Sequence, residues 1–170
     1  MGSLSAEDQV PNPPPWQGVK VAGRATKRAE PWRIHFFQRH PADDPKRSVP
    51  ALELLEAVSP AVAAELQAIL EAVAAAPPPA FSGGGKWEAM HGVMAGFYEA
   101  RTSGGDASGR QMNHRLLCLL VRDAEEELGG PSIVAIGGFS KPPRSAAKAS
   151  DYATIRRYAA EFRRRRTVLA

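Results

Sequence analysis

Three segments decide the fold of this chain: FYEAR at residues 97–101, NHRLLCLLVRD at residues 113–123 and SIVAIGGFSK at residues 132–141. Apolar residues dominate the second and third segments, and Gly-rich or acidic stretches separate all three, as hairpin loops separate strands. We predict strands at about 94–101, 113–121 and 132–139. Because short loops join them, these strands are expected to be antiparallel neighbours in one sheet.

Basic residues interrupt these apolar strands. Arg101 and Arg115 lie in the first two strands, and the third ends at Lys141. Burying an unpaired charge costs far more free energy than it returns, so these cations predict a sheet face that holds something anionic. Glu99 lies two residues before Arg101 and projects from the same face, so an Arg–Glu ion pair is the alternative interpretation.

Upstream of these strands the sequence predicts one more strand and two helices. WRIHFF at residues 32–37 alternates in the manner of a strand. Ser48 is expected to cap a short helix from about 50 to 58. Ser59-Pro60 begins a second helix, because Ser is a favoured N-cap and Pro a favoured first helical residue. Pro77-Pro78-Pro79 ends that helix, because proline cannot continue it.

Downstream, Ser150 is expected to cap a last helix over residues 151–166. The resulting order β-α-α-β-β-β-α contains no repeated βαβ unit, which disfavours a doubly wound sheet. We therefore expect a small α+β domain over residues 31–166. Its antiparallel sheet would have the helical hairpin packed on one face and the second face available for function. Residues 1–30, rich in proline, are expected to form a disordered extension, and residues 167–170 a tail.

The composition limits the functional classes. The chain has 170 residues, 44% of them hydrophobic, and no apolar run near the roughly 18 residues of a membrane helix. Without a visible secretory signal, a cytoplasmic protein with no membrane partner is expected. Cys118 lies among leucines and is expected to be a buried, unreactive thiol. The histidines lack metal-ligand spacing and the run at 82–85 lacks the phosphate-loop pattern, so we expect neither a metal nor a cofactor.

Charge is distributed unevenly along the chain. Residues 1–140 contain 13 Lys/Arg and 16 Asp/Glu, a net charge of −3, whereas residues 141–170 contain 9 and 2, a net charge of +7. Such a cationic end favours a phosphate-rich partner or an acidic protein surface, although basic residues also complement a helix dipole. The candidate nucleic-acid-binding residues are Arg144, Lys148, Arg156, Arg157, Arg163 and Arg164.

These motifs together resemble the RelE/ParE toxin superfamily, in its phage-derived HigB-like branch. That branch has a strand ending aromatic–Glu–Leu–Arg, a strand with a central basic residue, and a strand ending His-Gly-Phe-x-Lys-Lys. Here they read FYEAR at 97–101, HRLL at 114–117 and GGFSK at 137–141. The resemblance covers about residues 31–165. Gly137 stands where the family often has His, and Pro142 where a second Lys is common.

The resemblance implies the toxin of a type II toxin–antitoxin system, a metal-independent endoribonuclease that cleaves messenger RNA on the ribosome. A helix-turn-helix antitoxin would neutralise it. Arg101, Arg115 and Lys141 would hold the scissile phosphate, and His91 or His114 would transfer protons. The departures at Gly137 and Pro142 favour an alternative, a non-enzymatic ParE-like protein that binds gyrase or a degenerate nucleic-acid-binding regulatory module. A phage accessory protein that binds nucleic acid through its basic end is a third interpretation.

Overall fold

The computed structural model describes residues 30–77, 85–123 and 127–169. The extension expected at residues 1–29 and the glycine run at 82–84 lie outside them. The elements in chain order are β1 (Arg33–Phe37), α1 (Pro50–Ala57), α2 (Pro60–Ala75), β2 (Trp87–Ala89), β3 (Phe97–Gly105), β4 (Gln111–Val121), β5 (Ser132–Lys141), α3 (Ala149–Arg165) and β6 (Val168–Leu169). Among the described residues, no helix has both the length and the apolar character needed to cross a membrane.

The predicted meander is confirmed. β3, β4 and β5 pair antiparallel in sequence order. β3 begins about three residues later than predicted, at Phe97, but it and β4 extend further at their joined ends and pair as far as Gly105 opposite Gln111. The turn between them is therefore short. The Asp106 carboxylate closes it by accepting hydrogen bonds from the backbone N–H groups of Ser108 and Arg110, each at 2.9 Å.

The sheet has six strands in the order β2-β3-β4-β5-β1-β6, and it is mixed. β1 runs parallel to β5, with Ile34 opposite Ile133, so the prediction of a purely antiparallel sheet is wrong at this edge. β2 and β6 contain three and two residues, too few to produce a periodic sequence signal. β6 lies in the segment expected to be a tail, where it pairs antiparallel with β1.

The helical hairpin of α1 and α2 covers one face of the sheet. Leu54 of α1 and Leu66 and Leu70 of α2 are buried in one cluster with Leu116 and Ile133 from the strands.

The two capping predictions for these helices have different outcomes. The Ser59 hydroxyl accepts a hydrogen bond from the N–H of Val62 at 3.3 Å and caps α2 as expected. Ser48 does not cap α1, because its hydroxyl donates to the Asp44 carboxylate instead and Val49 precedes the helix.

The second face of the sheet is partly covered, which corrects the expectation that it stays open. Ile155, Ala159 and Phe162 of α3 are buried there with Phe37 and Ile136. α3 also begins earlier than predicted, because Asp151 rather than Ser150 closes its first turn, accepting the N–H of Lys148 at 3.2 Å. α3 packs against β5. Arg101 of β3, Arg115 of β4 and Lys141 of β5 nevertheless remain partly exposed.

Candidate functional site

The three predicted strand cations lie on one face of the sheet, the face on which α3 packs. Arg101 of β3 is directly opposite Arg115 of β4, and Lys141 of β5 is opposite Asn113, two residues from Arg115. Residues two apart on a strand share a face, so the side chains of Arg101, Arg115 and Lys141 form one group. We call this group the cationic patch.

A buried carboxylate holds the two arginines together. Glu99 is 0% exposed, and both of its oxygens accept from Nη1 of Arg115 at 2.6 Å. Arg101 approaches the same carboxylate at 3.5 Å. Like charges directly opposite each other on neighbouring strands repel, and Glu99 offsets that repulsion. The Arg–Glu pairing expected as the alternative interpretation is therefore present, and it also orients the guanidinium groups of the patch.

Arg101 has further partners on the β2 side of the sheet. Its Nη1 and Nη2 atoms donate to the two oxygens of Glu88 at 3.0 and 3.1 Å, and its Nε donates to the carbonyl of Gly85. The side chains of Arg101 and Glu88 are 36% and 46% exposed. Several hydrogen bonds from one planar guanidinium group fix its position and orientation better than a single contact does. Arg101 is thus held at the edge of the sheet yet remains accessible.

Lys141 is used by the connection that leads to α3. Its ammonium donates to the carbonyl of Ser145, whose hydroxyl in turn donates to the carbonyl of Pro142 at 2.7 Å. Phe139, directly opposite Arg115, packs edge-to-face on Tyr152 with ring centroids 5.5 Å apart. The lysine therefore shares the face with the arginines and closes the turn after β5 at the same time.

A cleft of about 530 Å³ opens at the outer edge of β3 beside the patch. Arg101 and Arg115 line it together with Lys86 and Glu65, two charged residues that the sequence did not identify. The Glu65 carboxylate accepts from the Lys86 ammonium and, at 2.6 Å, from the Thr102 hydroxyl. These two hydrogen bonds lower the pKa of Glu65 below its ordinary value. No periodicity links Glu65 on α2 to Lys86 before β2, so only the tertiary structure brings them together.

The two histidines considered for proton transfer differ in position. His114 is among the residues that line the cleft, but it is buried and, one residue from Arg115, projects from the other face of β4. Its ring nitrogens contact the Ser140 hydroxyl at 2.7 Å and the Gly104 carbonyl at 3.0 Å. His91 is exposed after β2, near the Phe97 end of β3. Arg101 lies four positions further along β3 than Phe97, a distance of about 13 Å. Neither imidazole therefore joins the cationic patch.

The basic residues of α3 divide into two groups. Arg163 lies over the ring of Phe97 at 6.0 Å, and the exposed Arg156 lies on the same flank, two helical turns earlier. Arg164 instead forms an ion pair with Asp43 at 3.4 Å on the opposite side. Arg157 stacks on Tyr158, with its guanidinium 5.4 Å from the ring centroid. The two remaining candidates, Arg144 and Lys148, are exposed between β5 and α3.

The Gly137-Gly138 pair of β5 serves backbone and helix packing. A Cβ at Gly138 would lie 2.3 Å from the carbonyl oxygen of Arg115 and 2.4 Å from a methyl group of Leu54. One at Gly137 would lie 3.2 Å from both Ile155 and Pro50. Glycine at these positions lets α1 and α3 approach the end of β5 closely.

The site as a whole offers anchored guanidinium groups, hydroxyls and an exposed carboxylate beside an open cleft. Among the described ranges, no group of three or more His, Cys, Asp or Glu side chains converges as a metal site would require. Comparisons with protein-family models, with curated proteins and with solved structures find no match for this chain. Its function is therefore inferred from the chemistry of these residues.

Proposed function

We propose that this protein is a toxin of the RelE/ParE superfamily, HigB-like, that cleaves messenger RNA on the ribosome without a metal. The placement of Arg101 directly opposite Arg115, at the wall of an open cleft, is the observation that carries the proposal. The element order, a strand and helical hairpin followed by a three-stranded meander, supports it. A helix-turn-helix antitoxin is the proposed neutralising partner.

The proposed chemistry needs positive charge where the phosphate becomes pentacoordinate. The ribose 2′-oxygen attacks phosphorus, the bond from phosphorus to the 5′-oxygen breaks, and a 2′,3′-cyclic phosphate and a 5′-hydroxyl result. Arg101 and Arg115 donate hydrogen bonds to the phosphoryl oxygens as their negative charge grows. Because Glu99 and Glu88 already hold these guanidinium groups, little reorganisation is needed when the transition state forms.

We assign the proton-accepting role to Glu88 rather than to a histidine. Glu88 contacts Arg101 and is about half exposed, whereas Glu99 is buried and both imidazoles lie outside the patch. The 2′-hydroxyl proton passes to the Glu88 carboxylate, and the departing 5′-oxygen takes a proton from water. Exchanging Glu88 for Gln should therefore lower the cleavage rate, while the amide oxygen still accepts one of the two hydrogen bonds from Arg101.

The flank of α3 that carries Arg156 and Arg163 supplies the binding surface for ribosomal and messenger RNA. Arg163 lies over Phe97, on the face of the sheet that carries the patch, and Arg156 lies two helical turns earlier on the same flank, whereas Arg164 is paired with Asp43. Phosphate contacts by Lys and Arg release counterions, so the affinity should fall steeply with salt concentration.

Expression in cells followed by mapping of messenger RNA 5′ ends tests this proposal. Wild-type protein should produce new ends within translated regions, and Arg101→Ala should reduce them by about 100-fold, the usual effect of removing one charge-stabilising donor. Arg110→Ala is a matched control, because Arg110 is exposed in the turn between β3 and β4 and does not line the cleft. Intact transcripts under wild-type expression would remove the ribonuclease assignment.

The second candidate is a non-enzymatic, ParE-like protein that binds gyrase or regulates through nucleic-acid binding. The distance of His91 from the patch and the burial of His114 favour it, because they leave no accessible imidazole at Arg101 among the described residues. Expression would then induce DNA-damage signalling with intact transcripts. For a protein that only binds nucleic acid, Arg156→Gln with Arg163→Gln is a better test than truncation, because removing residues 163–170 also removes β6.

A further inference from the structure

Lys86 lies beside the arginines of the cationic patch although it belongs to a different part of the chain. It lines the same cleft as Arg101 and Arg115, and the carboxylate that lines this cleft is Glu65. Three cations and one carboxylate line the cleft, while Glu88 and Glu99 contact the two arginines from beside it. Because the carboxylates that pair with the two arginines do not line the cleft, its wall presents mainly cationic groups, which attract anions.

The backbone before β2 is fixed against β3, so the position of Lys86 is determined. The N–H of Arg101 donates to the Lys86 carbonyl at 2.9 Å, and Nε of Arg101 donates to the Gly85 carbonyl. The Lys86 side chain is nevertheless 57% exposed. The start of the side chain is thus anchored to the patch, while its ammonium group reaches the rim of the cleft, where it pairs with Glu65.

Glu65 holds that ammonium group in the absence of a ligand. Its other oxygen accepts from Thr102, which fixes the carboxylate to β3. An exposed ion pair of this kind contributes little to stability because water competes for both partners. A phosphate diester entering the cleft therefore has only a weak pair to displace, and the Glu65 charge opposes its entry.

We propose that Lys86 binds a phosphate of the RNA strand next to the phosphate held by Arg101 and Arg115, and that this phosphate replaces Glu65 as its partner. The inference rests on the proposed function, because it assumes that the cleft receives RNA. Lys86 and Glu65 then have opposite effects on affinity. If both were purely structural, replacing either would weaken binding or leave it unchanged.

Binding of a fluorescent single-stranded 2′-O-methyl RNA, which lacks the 2′-hydroxyl nucleophile, tests this on the full chain. Lys86→Met should lower the slope of log affinity against log salt by about 0.7, the contribution of one phosphate contact to a single strand. At about 0.1 M salt that change corresponds to about fivefold weaker binding. Lys46→Met is the matched control, because Lys46 is exposed in the loop before α1, outside the cleft.

Glu65→Gln should bind the same RNA about threefold more tightly, because it removes an opposing charge and keeps an oxygen for the Thr102 hydroxyl. The inference is overturned if Lys86→Met behaves like Lys46→Met while Arg101→Ala weakens binding, or if Glu65→Gln binds less tightly. Wild-type protein that fails to bind overturns both this inference and the proposed function. Binding with the expected Lys86 and Glu65 effects, but without messenger RNA cleavage in cells, supports the inference and removes the ribonuclease assignment.

Discussion

Replacing Arg115 by Met should destabilise the protein strongly, because it leaves the Glu99 carboxylate buried without its main partner. Glu99 is 0% exposed and receives two contacts of 2.6 Å from Arg115 but only one of 3.5 Å from Arg101. Removing one partner of a buried ion pair typically costs about 3–5 kcal/mol. The remaining Arg101 contact places the expected loss at the lower end, about 3 kcal/mol.

The loss should be recovered when both charges are removed. A variant with Arg115→Met and Glu99→Met contains no unpaired buried charge, and Arg101 keeps its bidentate contact with Glu88. Apolar replacement of a whole buried pair is often neutral or stabilising, so the double variant should unfold within about 1 kcal/mol of wild type. Arg110→Met is the control and should change stability by less than about 0.5 kcal/mol.

Urea unfolding followed by far-ultraviolet circular dichroism at neutral pH measures these differences, with the slope m expected to stay constant. In thermal unfolding, Arg115→Met should lower the Tm by about 6–12 °C, at about 2–4 °C per kcal/mol for a chain of this size. The reasoning is refuted if Arg115→Met costs less than about 1 kcal/mol, or if the double variant is no more stable than it. The double variant also serves the functional assay, because it separates loss of chemistry from loss of folding.

Three further perturbations follow from single contacts. Gly138→Ala should lower the free energy of unfolding in urea by about 3 kcal/mol or more, because the new Cβ would meet the Arg115 carbonyl and Leu54. A loss under about 1 kcal/mol would contradict this packing. Cys118 should resist a thiol reagent in the folded protein and react fully in urea, since complete burial raises the pKa of its thiol. Rapid labelling of the folded protein would disprove this prediction. Hydrogen bonds depress the pKa of folded Glu65, so its stabilising contribution is present above the ordinary value of 4.5 and lost as pH falls through the folded pKa. The difference in unfolding free energy between wild type and Glu65→Gln should therefore shrink below pH 4.5, and a constant difference would argue against it.

Local sequence patterns were enough for the principal elements and for the residues of the patch. The meander follows from apolar runs between turn residues, and α2 follows from the Ser59-Pro60 start, whose cap is present at 3.3 Å. Arg101 and Arg115 were identified because a cation inside an apolar strand needs a partner. Glu99, which the two-residue spacing had suggested for Arg101, proved to be the main partner of Arg115, and Arg101 pairs more closely with Glu88.

Other features depended on contacts between distant parts of the chain. The cap at Ser48 failed because Asp44 competes for its hydroxyl. His91 and His114 were proposed as proton donors from their nearness in sequence to the strands. Only the register reveals that one is buried and the other lies beyond the far end of β3. Strand pairing decides such positions, and a single sequence does not encode it locally.

The sequence by itself determined an α+β chain with an antiparallel meander, a capped helical hairpin, a basic last helix and arginines on one sheet face. Those features depend on residue periodicity, turn chemistry and the cost of burying charge, all of which act over a few residues. Only the tertiary structure decided that β1 pairs parallel with β5 and that α3 covers part of the second face. It also decided that Lys86 and Glu65 meet at the cleft. These three features depend on packing between segments that are far apart in sequence. Burial of apolar area and the pairing of charges there select one arrangement of the elements.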